Sequence, residues 1–223
     1  LMSYLSDEDA EIMAQTAKVL GDVKYAAAGP QFIALLENEH PRVQFYAAQA
    51  LGRIKDQTAV SGLLQMLVEN KDQDVYLRHV AVLALSRIGV EQPILDLVDS
   101  PNKSLRLAAV LVMRRWSHPD LKYFLTDEDE YIVLEAARAI NDDWSVEEAL
   151  PDLASLLKNT QLQSEALGRR VINAASRLGS PETLAWLVQF AQSDEIPLVL
   201  KVEAINALSH WAEPSLLDRV DGR

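Results

Sequence analysis

The sequence predicts an all-α protein in which about six or seven helical hairpins stack side by side into a solenoid. Three observations support this fold class. Alanine and leucine, which enter helices at little cost, are abundant, while aromatic residues make up only 6% of the chain. An apolar segment recurs from one end of the chain to the other. No stretch shows the alternation of apolar and polar residues that is typical of a half-buried strand.

The recurring segment has the pattern of an amphipathic helix. Apolar residues follow the i, i+3/i+4, i+7 spacing that places them on one side of a helix. Small residues near the middle of most copies let neighbouring helices come close. Equivalent positions lie 27 to 35 residues apart. The copies are 43–54, 77–88, 105–116, 132–143, 167–178 and 200–211, with a weaker copy at 12–23.

Shorter helices are predicted between these copies. Pro151 is expected to begin one of them after an added turn, and Ser180 to cap another. One hairpin cannot bury its own apolar side, so stacking must create a continuous core. We therefore expect residues 1–223 to form one domain, with the shorter helices at 30–39, 58–69, 92–100, 118–125, 146–158 and 180–192.

The recurring pattern V/L-R-x-x-A-A/V-x-A-L-G/S-R-I, clearest in 43–54 and 77–89, resembles the short, PBS-lyase-like class of HEAT repeat. The resemblance covers essentially the whole chain. It implies an α-α superhelix of the HEAT/armadillo type, which is a fold that serves many functions.

Composition and charge limit the function. The formal net charge of −12 opposes nucleic-acid binding, and no apolar run approaches the roughly eighteen residues of a membrane helix. The absence of cysteine excludes Cys-ligated zinc and covalent haem attachment in this segment. Catalytic motifs are missing, and the four histidines lie on different repeats. We therefore expect no nucleic acid, membrane insertion, cofactor or metal, no catalytic residue, and a segment that is not an enzyme.

An acidic run, 127–130, precedes the fourth full copy of the repeat. Acidic side chains there suit the positive end of the helix dipole. A calcium site is the alternative, but the run lacks the spacing and the glycine of a calcium loop. Within the same helix, Glu135 and Arg138 are three residues apart and are predicted to form a surface ion pair.

Arginine recurs near the C-terminal end of the repeated helix, where Asp142 interrupts the row. In HEAT-like solenoids these helices line the concave side, so a row of arginines could hold an acidic segment of a partner protein. The alternative is that each arginine pairs with the free carbonyl groups at a helix end. The candidate partner-binding residues are Arg53, Arg87, Arg115, Arg138 and Arg177.

Two stretches, "DEDEYIVLEAARAINDDW" (127–144) and "ALSHWAEPSLLDRVDGR" (207–223), resemble the HEAT segment of large bacterial dehydrogenase-like proteins. Those multidomain proteins are membrane-bound or secreted, with a glucose/sorbosone-dehydrogenase-type propeller before the repeats and a c-type cytochrome or haem-binding domain after them. The resemblance implies a periplasmic or extracellular fragment of a sugar-type dehydrogenase.

Two functions follow from these features. The first is a non-catalytic scaffold that contacts neighbouring domains or a protein partner. The alternative is a concave groove that acts as a small-ligand or enzymatic site, similar to bilin lyases or to HEAT-like DNA glycosylases.

Overall fold

A computed structural model of the chain describes residues 1–142, 146–159, 161–213, 218–220 and 222. Trp144 and Pro214, which belong to the two stretches quoted above, lie outside the described residues. All regular secondary structure in the described part is helical. The helices form two compact units, unit 1 (Leu1–Trp116) and unit 2 (Ser117–Arg223). That residues 1–223 form one domain stays a prediction.

Unit 1 contains four long helices that correspond to the predicted repeat copies. They pack in chain order, each against the next. Shorter helices and single turns of 3-10 helix join them. The helices are α1 (Ala10–Asp22), α2 (Gly29–Leu35), α3 (Pro41–Ile54), α4 (Val60–Asn70), α5 (Val75–Ile88), α6 (Gln92–Leu95) and α7 (Lys103–Trp116), with 3-10 segments at Met2–Ser6, Ala26–Ala28 and Gln57–Ala59.

Unit 2 repeats the same arrangement with three helices, α8, α10 and α12, that correspond to the predicted repeat copies. α10 packs against both α8 and α12, which are its equivalents in the neighbouring hairpins. The helices are α8 (Glu130–Asn141), α9 (Leu150–Ser155), α10 (Glu165–Leu178), α11 (Pro181–Gln192) and α12 (Leu198–Ser209), with 3-10 segments at Pro119–Thr126, Glu147–Ala149 and Leu156–Lys158.

The long helices were predicted correctly, and the shorter ones less well. The predicted helix at 92–100 has only one α-helical turn, α6, and residues 96–99 after it form turns. The predicted helix at 118–125 is 3-10, a form common in short connecting segments. Pro151 does lie in the first turn of α9, after the extra turn at Glu147–Ala149.

Small residues set the spacing between the long helices. A Cβ atom on Gly52 of α3 would lie 2.6 Å from the Cα atom of Ala84 in α5. A Cβ atom on Gly168 of α10 would lie 2.5 Å from a methyl group of Leu200 in α12. The helices therefore approach each other closely at positions where a larger side chain would not fit.

Replacing Asp74 with alanine should destabilise unit 1 by about 1 kcal/mol. The Asp74 carboxylate caps α5 by accepting hydrogen bonds from the backbone N–H groups of Tyr76 (2.8 Å) and Leu77 (3.2 Å). Urea unfolding measures the effect. Glu91→Ala is the control, because Glu91 precedes α6 without a side-chain capping bond and should change stability by less than about 0.5 kcal/mol. Equal effects of the two substitutions would contradict the capping role.

Candidate functional site

The acidic run 127–130 starts α8. The Asp129 carboxylate accepts hydrogen bonds from the backbone N–H groups of Tyr131 (3.0 Å) and Ile132 (3.3 Å). Asp127 in turn accepts one from the N–H of Asp129 at 2.9 Å. This is the geometry of a capped helix N-terminus. Among the described residues, no group of three or more His, Asp or Glu side chains is arranged to hold a metal ion.

Glu135 forms the predicted ion pair with Arg138, but its own side chain does not lie at the surface and is only 7% exposed. Its Oε1 atom accepts a hydrogen bond from Nη1 of Arg138 at 2.7 Å. This bond, followed by the charges of Glu135 and Asp142, raises the pKa of Arg138 above its ordinary value. The spacing of three residues identified the pair correctly. It could not show which side of α8 the neighbouring segments cover.

Asp142 connects α8 to α10. Its carboxylate binds the Arg170 guanidinium through two hydrogen bonds, Nε to Oδ1 at 2.9 Å and Nη2 to Oδ2 at 2.6 Å. Both side chains are largely buried, at 14% and 13% exposed. Arg138 Nε lies 4.0 Å from the same carboxylate. The acid that interrupts the row of arginines is therefore an ion-pair partner for the next long helix.

A second set of polar side chains lies beside this ion pair. The Asn173 amide of α10 donates to Oδ1 of Asn141 (2.9 Å) and to Oδ2 of Asp218 (2.7 Å). Arg177 donates to the carbonyl oxygen of Asn141 at 3.0 Å. Asn141 and Asn173 are buried, so these bonds satisfy groups that would otherwise be costly. We call the combined set the inter-helix network: Glu135, Arg138, Asn141, Asp142, Arg170, Asn173, Arg177 and Asp218.

The five predicted partner-binding arginines do not share one surface environment. Arg53 pairs with Asp22 at the end of the preceding long helix, and Arg138 and Arg177 belong to the inter-helix network. Arg87 and Arg115 are exposed and form no ion pair among the described residues. The bond from Arg177 to Asn141 fits the alternative in which arginine pairs with carbonyl groups at a helix end. A partner-binding role for the five stays a prediction.

Unit 2 contains a cleft of about 660 Å³ that the sequence analysis missed. It lies between the 3-10 segment Pro119–Thr126, the first half of α8, Leu156 of the segment Leu156–Lys158, and the start of α10 with the residues before it. We call it the unit-2 cleft. Aliphatic side chains form its floor: Leu125, Val133, Leu134, Leu156, Leu162 and Leu167. Polar groups and one aromatic ring form its rim: Glu130, Tyr131, Asn159, Gln161, Gln163 and Ser164.

Several rim groups are held in place by local hydrogen bonds. The Gln163 amide donates to the carbonyl of Glu195 at 3.1 Å. Ser164 Oγ caps α10 by accepting from the N–H of Leu167, and Asn159 Oδ1 accepts from the N–H of Gln161. The side-chain amide of Gln161 is exposed and has no hydrogen bond within the described residues. The rim therefore combines fixed geometry with donors and acceptors that a ligand can use.

Unit 1 has a smaller cleft, of about 290 Å³, beside Tyr46 and Tyr76. Arg42 occupies its edge, with the guanidinium 5.2 Å from the centre of the Tyr46 ring and Nε 2.7 Å from Glu11. Hydrogen bonds from Gln15 and then Arg42 hold the pKa of Glu11 below its ordinary value. Because its arginine is already engaged and its volume is small, this cleft is the weaker candidate.

A family model of HEAT repeats matches residues 1–86 and 119–209. The chain belongs to the HEAT-repeat family. The predicted all-α, HEAT/armadillo-like fold class is therefore confirmed, while the multidomain dehydrogenase context is not shown by this match. No helix in the described part of this HEAT chain is long and apolar enough to cross a bilayer.

Several solved structures are similar to this chain, including the following three. The complex of CpcE and CpcF of phycocyanin lyase from Nostoc sp. PCC7120 is 20% identical, with a TM-score of 0.45 over 98% of this chain and 89% of that one. Human deoxyhypusine hydroxylase is 18% identical, with a TM-score of 0.42 over 96% and 83%. A designed armadillo repeat protein is 16% identical, with a TM-score of 0.36 over 94% and 98%. A search of curated proteins found no match.

The prediction that this segment is not an enzyme is wrong. It relied on the absence of catalytic motifs from a repeat array. The similar structures include one named for a lyase and one named for a hydroxylase, so that absence is no ground for excluding catalysis in a HEAT fold. At this level of similarity neither structure supplies a catalytic role for any residue of this chain.

Proposed function

We propose that the chain is a protein-binding HEAT scaffold that holds a segment of a partner protein in the unit-2 cleft. The observation that supports this proposal is the cleft itself, with an aliphatic floor and a polar rim. Tyr131 at the rim is 47% exposed although it is a large aromatic residue. Exposed aromatic residues beside an apolar depression are a common feature of protein-binding surfaces.

The dimensions of the unit-2 cleft fit part of a polypeptide chain. A volume of about 660 Å³ can accept several aliphatic side chains. The amide groups of Asn159, Gln161 and Gln163 lie at its rim and can donate to and accept from a peptide backbone. Extended peptides are bound in this way when backbone hydrogen bonds supply affinity and apolar pockets supply specificity.

Leu134→Gln tests the proposal, because it makes the floor polar without changing charge or greatly changing size. Peptides selected from a phage-displayed library against the whole chain should lose about tenfold or more in affinity for this variant, since each buried leucine side chain contributes about 1.5–3 kcal/mol. Fluorescence anisotropy of the labelled peptides measures the loss.

Leu198→Gln is the matched control for this experiment. It makes the same change on α12, at a leucine that is 75% exposed and does not line the unit-2 cleft. Circular dichroism verifies that both variants remain folded. Selected peptides that bind the Leu134 variant as tightly as the unchanged chain would refute the cleft as the binding site, and so would a failure of the library to yield any binder.

We also propose, from the resemblance of 127–144 and 207–223, that the HEAT array belongs to a larger dehydrogenase-like protein located outside the cytoplasm. In that case a neighbouring domain of the same polypeptide supplies the segment that binds the cleft. The full reading frame tests this context directly. It should encode a propeller before the repeats and a C-x-x-C-H haem motif after them, and a frame that encodes neither would refute the proposal.

A further inference from the structure

We propose that the segment held in the unit-2 cleft is cationic, with arginine or lysine alternating with aliphatic residues. This inference rests on the proposed function, and it specifies the chemistry of the partner. It is carried by the charge of the rim, by the distribution of charge between the two units, and by the shape of an extended chain.

Among the described residues, the rim of the unit-2 cleft carries one charged side chain, Glu130, which is negative. Glu130 is exposed and forms no ion pair among the described residues. No lysine or arginine in the part of the chain that the structure describes lines the cleft. A cation bound at this rim would be attracted by an acidic group that forms no ion pair among the described residues, whereas an anion would be repelled by it.

The acidic charge of the chain is concentrated in unit 2. Residues 117–223 contain 19 Asp and Glu against nine Lys and Arg, a formal charge of −10. Residues 1–116 contain 14 against 12, a formal charge of −2. The unit that contains the larger cleft therefore produces the stronger negative field, which attracts cationic partners and increases their rate of association.

The positive side chains of unit 2 are largely engaged by its own residues. Arg138, Arg170 and Arg177 belong to the inter-helix network. Glu203 holds both Arg169 and Arg219, each at 2.7 Å. These ion pairs neutralise arginines inside the fold, so the charge that remains at the surface of this unit is predominantly negative.

The combination of an apolar floor with an acidic rim selects an alternating sequence. In an extended chain, successive side chains point to opposite sides. Aliphatic residues at every second position can then enter the floor formed by Leu134 and its neighbours. The cationic residues between them remain at the level of Glu130 and keep contact with water. A uniformly basic segment would leave the apolar floor unfilled, and a uniformly apolar segment would make no ion pair with Glu130.

Three blocked synthetic peptides test the inference against the whole chain. In the first, arginine alternates with leucine; in the others, glutamine or glutamate replaces every arginine. Binding is measured by fluorescence anisotropy at low salt, because salt screens exposed charges. The arginine peptide should bind about tenfold more tightly than the glutamine peptide, and the glutamate peptide should bind more weakly than both. The Glu130→Gln variant should bind the arginine peptide about threefold more weakly than the unchanged chain does. Its affinity for the glutamine peptide should not change.

Glu182→Gln is the matched control, because Glu182 is an exposed acid on α11 that does not line the cleft. It removes the same charge from unit 2 and should lower the affinity for the arginine peptide less than Glu130→Gln does. Equal losses in the two variants, or equal binding of the three peptides, would overturn the inference. If the three peptides bind the unchanged chain equally well but bind the Leu134→Gln variant more weakly, the inference fails and the proposed function survives. Binding of none of them would overturn the inference, whereas the proposed function would fail only if the library-selected peptides also gave no binding that depends on Leu134.

Discussion

Replacing Asp142 with alanine is expected to destabilise unit 2 by about 3 kcal/mol, since breaking one side of a buried ion pair leaves the other charge uncompensated. The Asp142 carboxylate makes two hydrogen bonds to Arg170, and both side chains are shielded from water. Arg138 would lose its second neighbouring carboxylate at the same time. Urea unfolding followed by circular dichroism measures the loss, and hydrogen exchange should place it in α8 and α10.

Two further variants show whether the loss comes from the ion pair. Asp152→Ala removes an exposed carboxylate from α9 and should change stability by less than about 0.5 kcal/mol. The double variant Asp142→Leu/Arg170→Met should be more stable than Asp142→Ala, because it leaves no unpaired charge at this position. The double variant is also compared with Asp142→Leu alone and Arg170→Met alone. If the losses of stability in these two single variants added up to the loss in the double variant, the coupling between α8 and α10 would be contradicted.

Gly52→Ala is expected to destabilise unit 1 by about 2 kcal/mol, which is the typical cost of forcing extra volume into a packed contact. Helix propensity alone predicts the opposite, a gain of about 1 kcal/mol for alanine over glycine inside a helix. The structure decides between the two effects, because the new Cβ atom would lie 2.6 Å from the backbone Cα of Ala84. Backbone in a packed helix cannot move aside as a side chain can. Thermal and urea unfolding both report the change.

Gly62→Ala provides the matched comparison within unit 1. Gly62 also lies in a helix, α4, but the nearest atom to a Cβ atom there would be a methyl group of Leu36, at 3.0 Å, and the next a methyl group of Ile33, at 3.9 Å. The Leu36 methyl group ends a flexible side chain, so the gain from helix propensity should equal or exceed the packing cost. If Gly52→Ala were as stable as Gly62→Ala, the close contact between α3 and α5 would be refuted.

The same distinction explains which parts of the fold the sequence could predict. The long helices α5 and α10 were predicted because their apolar spacing is a local property of about a dozen residues. The weak segments 92–100 and 118–125 were assigned too much α-helix, since the repeat pattern suggested a helix there without the length needed to sustain one. Prediction was therefore best where short-range periodicity alone determines structure.

The candidate site could not be predicted by that route. The unit-2 cleft joins side chains from Leu125 to Leu167, and its rim comes largely from a connecting segment, 159–164, that lacks a periodic pattern. The acidic run before α8 was visible in the sequence, but its neighbouring depression was not. The one signal in this stretch was a single leucine among polar residues in "NTQLQS", where Leu162 is buried between the exposed Gln161 and Gln163.

The sequence by itself determined that this chain forms repeated amphipathic helices of the HEAT type, because helix formation and apolar spacing are encoded within each segment. The tertiary structure alone decided that Glu135 is buried, that Asp142 binds Arg170, and that the five arginines predicted to act alike differ in their surroundings. Those outcomes depend on contacts between residues about thirty positions apart. The burial and pairing of a side chain are set by the hairpin that packs over it, whose position no single segment encodes.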